Sequence, residues 1–128
     1  MYKHLTIFFA PLVAIFIALA PVAASAEVRL LMAEEPGCIW CARWNAQIAP
    51  IYPKSGEGVA APLLRVNIKQ PIPDEIALRR KIMFTPTFVL LVDGVESGRI
   101  EGYPGEDFFW GLLGRLLAQE NIQVNGES

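Results

Sequence analysis

Gly37-Cys38-Ile39-Trp40-Cys41 holds the only two cysteines of the chain. They stand behind a short apolar run that reads as a strand and at the head of a run that reads as a helix. Positions three apart share a helix face, so both sulfurs point the same way. That spacing lets a disulfide form and break with little backbone movement. The helix start brings unpaired N–H groups and the positive end of the dipole to Cys38. Both favour its thiolate, the form that attacks disulfides. Three plainer readings compete. A structural disulfide closing so small a loop contributes only about 2 kcal/mol. A zinc site needs four ligands, and the one histidine, His4, lies in a segment expected to be removed, so the site would have to be shared between two chains. Haem attachment needs histidine directly after the second cysteine, where this chain has Ala42. Neither a metal nor another cofactor is expected.

The N-terminus sets the compartment. Lys3 and His4 form a short polar start, residues 5–20 are almost wholly apolar, and Ala24-Ser25-Ala26 supplies the small-x-small pattern that signal peptidase prefers. Residues 1–26 are therefore expected to be a signal peptide, cut between Ala26 and Glu27, that sends the chain to the periplasm. An uncleaved anchor is the rival, but a 16-residue apolar run containing Pro11 is short for a span of about 20 residues. Either way the cysteines end outside the cytoplasm, where disulfides persist. After cleavage no stable membrane insertion is expected. The remaining 102 residues suit one domain, expected over 27–120, with a polar, flexible tail over 121–128. Losing Lys3 leaves a net charge of −3, a balance that gives no sign of a nucleic-acid partner.

Outward from the cysteines, residues 28–33 read as a buried strand. Glu34-Glu35-Pro36-Gly37 is a loop, and 38–48 a helix ending before Pro50. The Pro-, Gly- and Ser-rich 51–61 is a connection, and 63–68 a second strand. Pro73-Asp74-Glu75 opens a second helix, with Arg79, Arg80 and Lys81 complementing its C-terminal dipole. That basic run is a solvated helix end or, as the sharper alternative, a docking point for an acidic partner. Residues 87–92 form a third, central strand. Asp93-Gly94 is a two-residue hairpin turn, so 95–100 runs antiparallel to it. Residues 105–119 form a closing helix with Phe108, Phe109, Leu112, Leu113, Leu116 and Leu117 on its apolar face. Gly111 and Gly114 lie opposite that face, each costing up to about 1 kcal/mol relative to alanine. The order β-α-β-α-β-β-α predicts an α/β fold: a mixed four-stranded sheet flanked by helices, with the cysteines at the carboxyl end of the first strand, where active sites of α/β folds concentrate.

Thr85-Pro86-Thr87 directly precedes the central strand. Together with the CxxC and the order of elements, it makes the mature chain resemble the thioredoxin superfamily over essentially its whole length. The resemblance implies a thioredoxin-like fold, a redox-active pair at Cys38 and Cys41, and a cis-proline at Pro86 packed against it. Glu35-Pro36-Gly37-Cys38-Ile39-Trp40-Cys41 and Ile100-Glu101-Gly102-Tyr103-Pro104-Gly105-Glu106-Asp107-Phe108-Phe109-Trp110 are similar to the small periplasmic SoxS-type thioredoxins of bacterial sulfur oxidation. That likeness implies a reductase of protein disulfides, one that keeps the cysteine of a sulfur-carrier protein active and is fed by a membrane thiol-electron transporter. It also implies that the backbone of Thr85 pairs with the bound peptide and that the Gly102-Tyr103 loop forms the third side of the groove. Trp40 is a flat apolar contact for the partner or a simple packing residue. Trp44 reads as core or helix surface.

The chain departs from the family pattern at several positions. Ile39-Trp40 replaces the usual Gly-Pro, and Gly37 stands where tryptophan is usual. Met32 falls where the family has a buried acid that relays the proton of the resolving cysteine. Glu34 or Glu35 substitutes for it from the loop, or both are plain solvated charges, in which case water carries the proton. Cys38, nearest the helix start, is the expected nucleophile, and Cys41, one turn in, resolves the mixed disulfide. Arg43 supports the thiolate or is an ordinary exposed arginine. The direction of transfer depends on reduction potential, where about 30 mV corresponds to about 1.4 kcal/mol. A disulfide-forming oxidase or isomerase therefore stays open, as does a non-catalytic binding module on the same scaffold.

Overall fold

Two strands are buried over most of their length on both faces, and they form the middle of the sheet. In the computed structural model, which describes residues 19–125, these are β1 (Val28–Glu34) and β3 (Thr87–Val92). The sheet order is β2-β1-β3-β4. β2 (Leu63–Asn67) runs parallel to β1, while β3 is antiparallel to both β1 and β4 (Val95–Glu101). The hairpin turn falls where expected: Asp93 and Gly94 both have positive φ, 51° and 78°, as a type I′ turn requires. Of the expected signal segment, positions 1–18 lie outside the described residues. Residues 19–26 are exposed and carry no helix or strand.

One face of the sheet is covered by helices. Leu30, Met32, Phe88, Leu90 and Ile100 meet Trp44 and Ile48 from α1 (Ile39–Gln47) and its C-cap, and Phe109, Leu113 and Leu117 from α3 (Glu106–Gln119). Trp44 is the hub, with ring centroids 5.2 Å from Phe88 and 5.7 Å from Phe109. Such aromatic pairs add about 0.5–1.5 kcal/mol each beyond area burial. Phe108 does not join the apolar face: one residue before Phe109 it is rotated about 100° around the helix and is exposed. Gly98 lets α3 approach β4, since a Cβ there would lie 2.6 Å from Leu116 Cδ2. Gly111 and Gly114 face open space, and no close neighbour requires them.

The stretch 51–61 is more ordered than a connection. It holds a 3-10 turn, Tyr52–Lys54, and a short helix, α2 (Gly56–Ala60), capped by Ser55, whose Oγ accepts the Gly58 N–H at 2.9 Å. The Tyr52 hydroxyl is buried and donates to the Ala61 carbonyl at 2.7 Å. The tail expected at 121–128 begins packed: Ile122 and Val124 rest on the larger core.

The second helix, expected from Pro73 to Lys81, does not form. Nine residues are too few to hold a helix by propensity alone. Here tertiary partners take the backbone groups instead. Ala77 N–H donates to Gly94 O at 2.8 Å, Glu96 N–H donates to Ala77 O at 2.9 Å, and Arg79 N–H donates to the Glu96 carboxylate at 2.8 Å. The segment is irregular apart from a single bridge between Ala77 and Val95, and Ile76 and Leu78 cover the second face of the sheet together with Ile82, against Leu31, Ala33, Val89 and Leu91. Arg79, Arg80 and Lys81 consequently end no helix.

A β-bulge makes this anchorage possible. Leu90 pairs with Gly98 but Leu91 pairs with Glu96, which leaves Ser97 as the extra residue. Residues three apart on a regular strand point to opposite faces. The bulge puts Glu96 and Arg99 on the same face, where they form a bidentate ion pair at 2.6 and 2.8 Å with side chains only 1% and 5% exposed. Arg99 also donates to the Arg80 carbonyl at 2.9 Å. The pair thus fastens the irregular segment to the outer strand.

Breaking such a pair one-sidedly strands a buried charge, so Glu96→Gln is expected to lower unfolding stability by about 3–5 kcal/mol, more than the double replacement Glu96→Leu with Arg99→Met. The hydrogen bonds from Arg99, with that from Arg79 N–H, hold the Glu96 carboxyl below its ordinary value of 4.5. A depressed folded-state pKa stabilises above the unfolded value and is lost as pH falls through the folded one. Chemical denaturation of wild type at falling pH should therefore show an acid limb below about pH 4.5 that is shallower in Glu96→Gln.

Candidate active site

α1 begins where β1 delivers the chain to the edge of the sheet. Gly37 turns it with φ +80°, and Cys38 is the N-cap, with its backbone still extended. The Cys38 Sγ accepts the Cys41 N–H at 3.1 Å, filling the role a serine or aspartate usually plays at a helix start. The two cysteines are joined in a disulfide, with Cα atoms 5.3 Å apart. Cys38 is half-buried, whereas Cys41 is buried in the larger core among Met32 and Trp44. The helix start is therefore bare at the sulfur that faces outward and packed at the other.

The first pairings of β3 set the opposite wall. Ala33 pairs with Thr87, which places the start of β3 beside the end of β1. The Thr85–Pro86 peptide bond is cis, as the resemblance implies. Three hydrogen bonds fix this corner. Thr87 Oγ1 donates to Phe84 O at 2.7 Å, Gly102 N–H donates to Pro86 O at 2.8 Å, and Thr85 Oγ1 donates to Glu35 Oε1 at 2.9 Å. Among the described residues, the backbone N–H and C=O of Thr85 make no backbone hydrogen bond.

Tyr103 behaves differently from expectation. Its ring is buried, lies edge-on to Phe109, and its hydroxyl donates to Gln47 Oε1 at 2.6 Å. Burial, with Glu106 nearby, pushes the phenol pKa up. Tyr103 braces the 102–105 loop against α1, and Gly102 ties that loop to the Pro86 carbonyl. Trp40 is not a core residue: it is half exposed, with the Arg43 guanidinium 4.7 Å above its ring. Arg43 is accordingly a partner of Trp40. Trp44 lies in the core.

The two glutamates are not plain solvated charges. Glu34 is paired with Arg65, which also donates to Asn45 Oδ1 at 2.8 Å. Glu35 accepts from Thr85 and is paired with Lys69 at 3.3 Å. The Thr85 hydroxyl, then Lys69, hold its carboxyl below the ordinary range. Neither carboxylate hydrogen-bonds a cysteine, and Met32 is buried and apolar where the family carries its acid.

Sequence reading missed the apolar rim. Ile39, at the first position of α1, and Met83 and Phe84, just ahead of Thr85-Pro86, are 72%, 68% and 61% exposed. Three large apolar side chains left in water at one edge are unusual for a surface with no partner. The signal was present as Met83-Phe84 directly before Thr85-Pro86, an apolar pair outside any strand or helix.

A disulfide running from a helix N-cap into the core, set beside a cis-proline at the start of the neighbouring strand, defines a thioredoxin-fold dithiol–disulfide protein. Comparison with protein-family models and with curated proteins gives no match. Among solved structures the chain matches the crystal structure of the periplasmic thioredoxin SoxS from Paracoccus pantotrophus, in its reduced form. Identity is 58% and the TM-score 0.72, over 73% of this chain and 99% of that one. The chain belongs to the thioredoxin family, as a relative of SoxS, and its cysteine pair carries a thiol-redox function. No helix among the described residues is long and apolar enough to cross a membrane.

Gly37 tests the local geometry. Nothing lies within 4 Å of a Cβ built there, so Gly37→Ala meets no steric block, only the left-handed backbone. The oxidised variant should be less stable by about 1–2 kcal/mol in chemical denaturation. A change below about 0.5 kcal/mol would show that the turn relaxes instead.

Proposed function

We propose that this chain is a periplasmic thiol–disulfide oxidoreductase that reduces disulfides of partner proteins through Cys38 and Cys41. The observation that carries the reading is the asymmetry of the pair: one sulfur at the open helix start, faced by the Cys41 N–H, and the other buried one turn in. In the dithiol state that N–H and the helix end stabilise negative charge on Cys38. An ordinary cysteine is only about 3% thiolate at pH 7, and lowering its pKa by two units makes roughly three-quarters of it reactive.

The Cys38 thiolate attacks one sulfur of the partner disulfide. A mixed disulfide forms, and the partner's other sulfur leaves as a thiolate that takes a proton from water. Cys41 then loses its proton to water, there being no carboxylate at hand, and attacks Cys38 Sγ. The Cys38–Cys41 bond forms, and the partner leaves with both sulfurs reduced. Two electrons have passed to the partner, and a membrane thiol-electron transporter resets the dithiol.

Partner contact centres on Thr85, whose unpaired backbone groups suit an added peptide strand, with Pro86, Gly102, Trp40 and the apolar rim around it. Tyr103 supports this surface from below. A cysteine-bearing sulfur-carrier protein is the partner that the SoxS relationship suggests. Export is by signal cleavage between Ala26 and Glu27. In support, Glu27 is the first of the described residues with a hydrogen bond to the domain, through a pair with Asp93 at 2.8 and 2.7 Å. Intact mass of the exported protein should begin at Glu27; retention of residues 1–26 would contradict cleavage.

Insulin-disulfide reduction should vanish in Cys38→Ser, while Cys41→Ser should accumulate a mixed disulfide with its partner. A reduction potential closer to about −270 mV than to about −120 mV is expected. A value near the latter would make the chain an oxidant.

A further inference from the structure

We propose that Glu35 is a positioning residue for partner binding, a latch that holds the Thr85–Pro86 corner against the cysteine loop by accepting the Thr85 hydroxyl. The inference rests on the exchange function proposed above and deepens it.

Glu35 joins three segments of the chain. Its own carbonyl accepts the Cys38 N–H at 3.3 Å, so its backbone is part of the turn into α1. Its carboxylate reaches Thr85 Oγ1 at 2.9 Å, fifty residues away, and Lys69 at 3.3 Å in the segment following β2. The neighbours of Thr85 are each held from elsewhere: Pro86 O by Gly102, and Phe84 O by the Thr87 hydroxyl. Thr85 itself has no backbone partner among the described residues, so its side chain is its one polar tether. A peptide edge that must pair with an incoming strand binds better when its direction is fixed beforehand, because less ordering remains to be done on binding. The exposed rim residues Met83 and Phe84 precede this corner, and the latch orients them too. The carboxyl lies below its ordinary range mainly through the Thr85 bond, which agrees with an ionised acceptor at neutral pH.

The hydrogen bond and the charge are separable. Glu35→Gln keeps an oxygen for the Thr85 hydroxyl but loses the negative charge and the Lys69 ion pair. Glu35→Ala loses everything, and Thr85→Val removes the donor while keeping the shape. With the mature chain, insulin as protein disulfide and dithiothreitol as electron source, Glu35→Ala should raise KM about two- to tenfold, the worth of one hydrogen bond, with kcat within about twofold. Glu35→Gln should restore KM to near the wild-type value. Thr85→Val should match Glu35→Ala, and the double variant should add nothing further, since both remove the same contact. Three results would overturn the latch: an unchanged KM in Glu35→Ala, a Glu35→Gln as impaired as Glu35→Ala, or additive effects in the double variant. A wild type that reduces no insulin would instead remove the exchange function itself, and the latch with it.

Discussion

The antiparallel register of β1 against β3 is the constraint from which the site follows. Ala33 opposite Thr87 and Met32 opposite Phe88 bring the exit of one strand and the entry of the next to the same edge of the sheet. Because the two strands run in opposite directions, the loop that turns into α1 and the corner that holds Pro86 become neighbours without any long connection reaching for the other. A slip by one residue would exchange the faces of every side chain in β3. Phe88 and Leu90 would leave the helical face, and Trp44 would lose the aromatic contact that seats α1. The placement of Cys41 in the core is thus secured by side chains that take no part in the chemistry.

The second face of the sheet shows how the fold manages without a helix there. Burying Glu96 and Arg99 carries a desolvation cost that a paired geometry offsets only when the remaining hydrogen-bonding groups are also filled. They are filled, by Arg79 N–H and the Arg80 carbonyl. In return the pair holds the irregular segment beside β4, where the Ala77 backbone takes the edge groups of Gly94 and Glu96, and the segment ends just ahead of the rim residues Met83 and Phe84. Rigid anchorage on one side of a corner and exposed apolar residues on the other suit a surface that meets another protein.

Local signals in the sequence were read correctly where one residue type answers one physical demand. Asp-Gly between two strands leaves few turn types, and two cysteines three apart are placed to close a disulfide, whereas the cis bond before Pro86 came from the family resemblance, since a proline ahead of a strand is by itself more often trans. The failures share another cause. Pro73-Asp74-Glu75 followed by three basic residues satisfies every local rule for a helix, yet the N–H groups of Ala77 and Arg79 find partners in the hairpin-turn carbonyl of Gly94 and in the Glu96 carboxylate, which no local pattern reveals. The bulge at Ser97 decides which way Glu96 points, and it too is invisible without the partner strand. Tyr103 and Glu35 looked like a groove wall and a solvated charge because their partners, Gln47 and Thr85, lie fifty or more residues away.

Around the disulfide the balance of charge is closer than the sequence implies. Two glutamates just before the first cysteine look set to oppose a thiolate, but Arg65 neutralises one, and Lys69 with the Thr85 hydroxyl engages the other. Arg43, the nearest cation in sequence, is taken up by Trp40. What remains directed at Cys38 is the backbone, the Cys41 N–H and the end of α1. A backbone donor cannot be titrated away or turned aside, so the reactivity of this sulfur depends on the helix start holding its shape. The Gly37 turn, the seat of Trp44 and the brace from Tyr103 to Gln47 all serve that shape, and they connect the chemistry at the edge to the packing of the core.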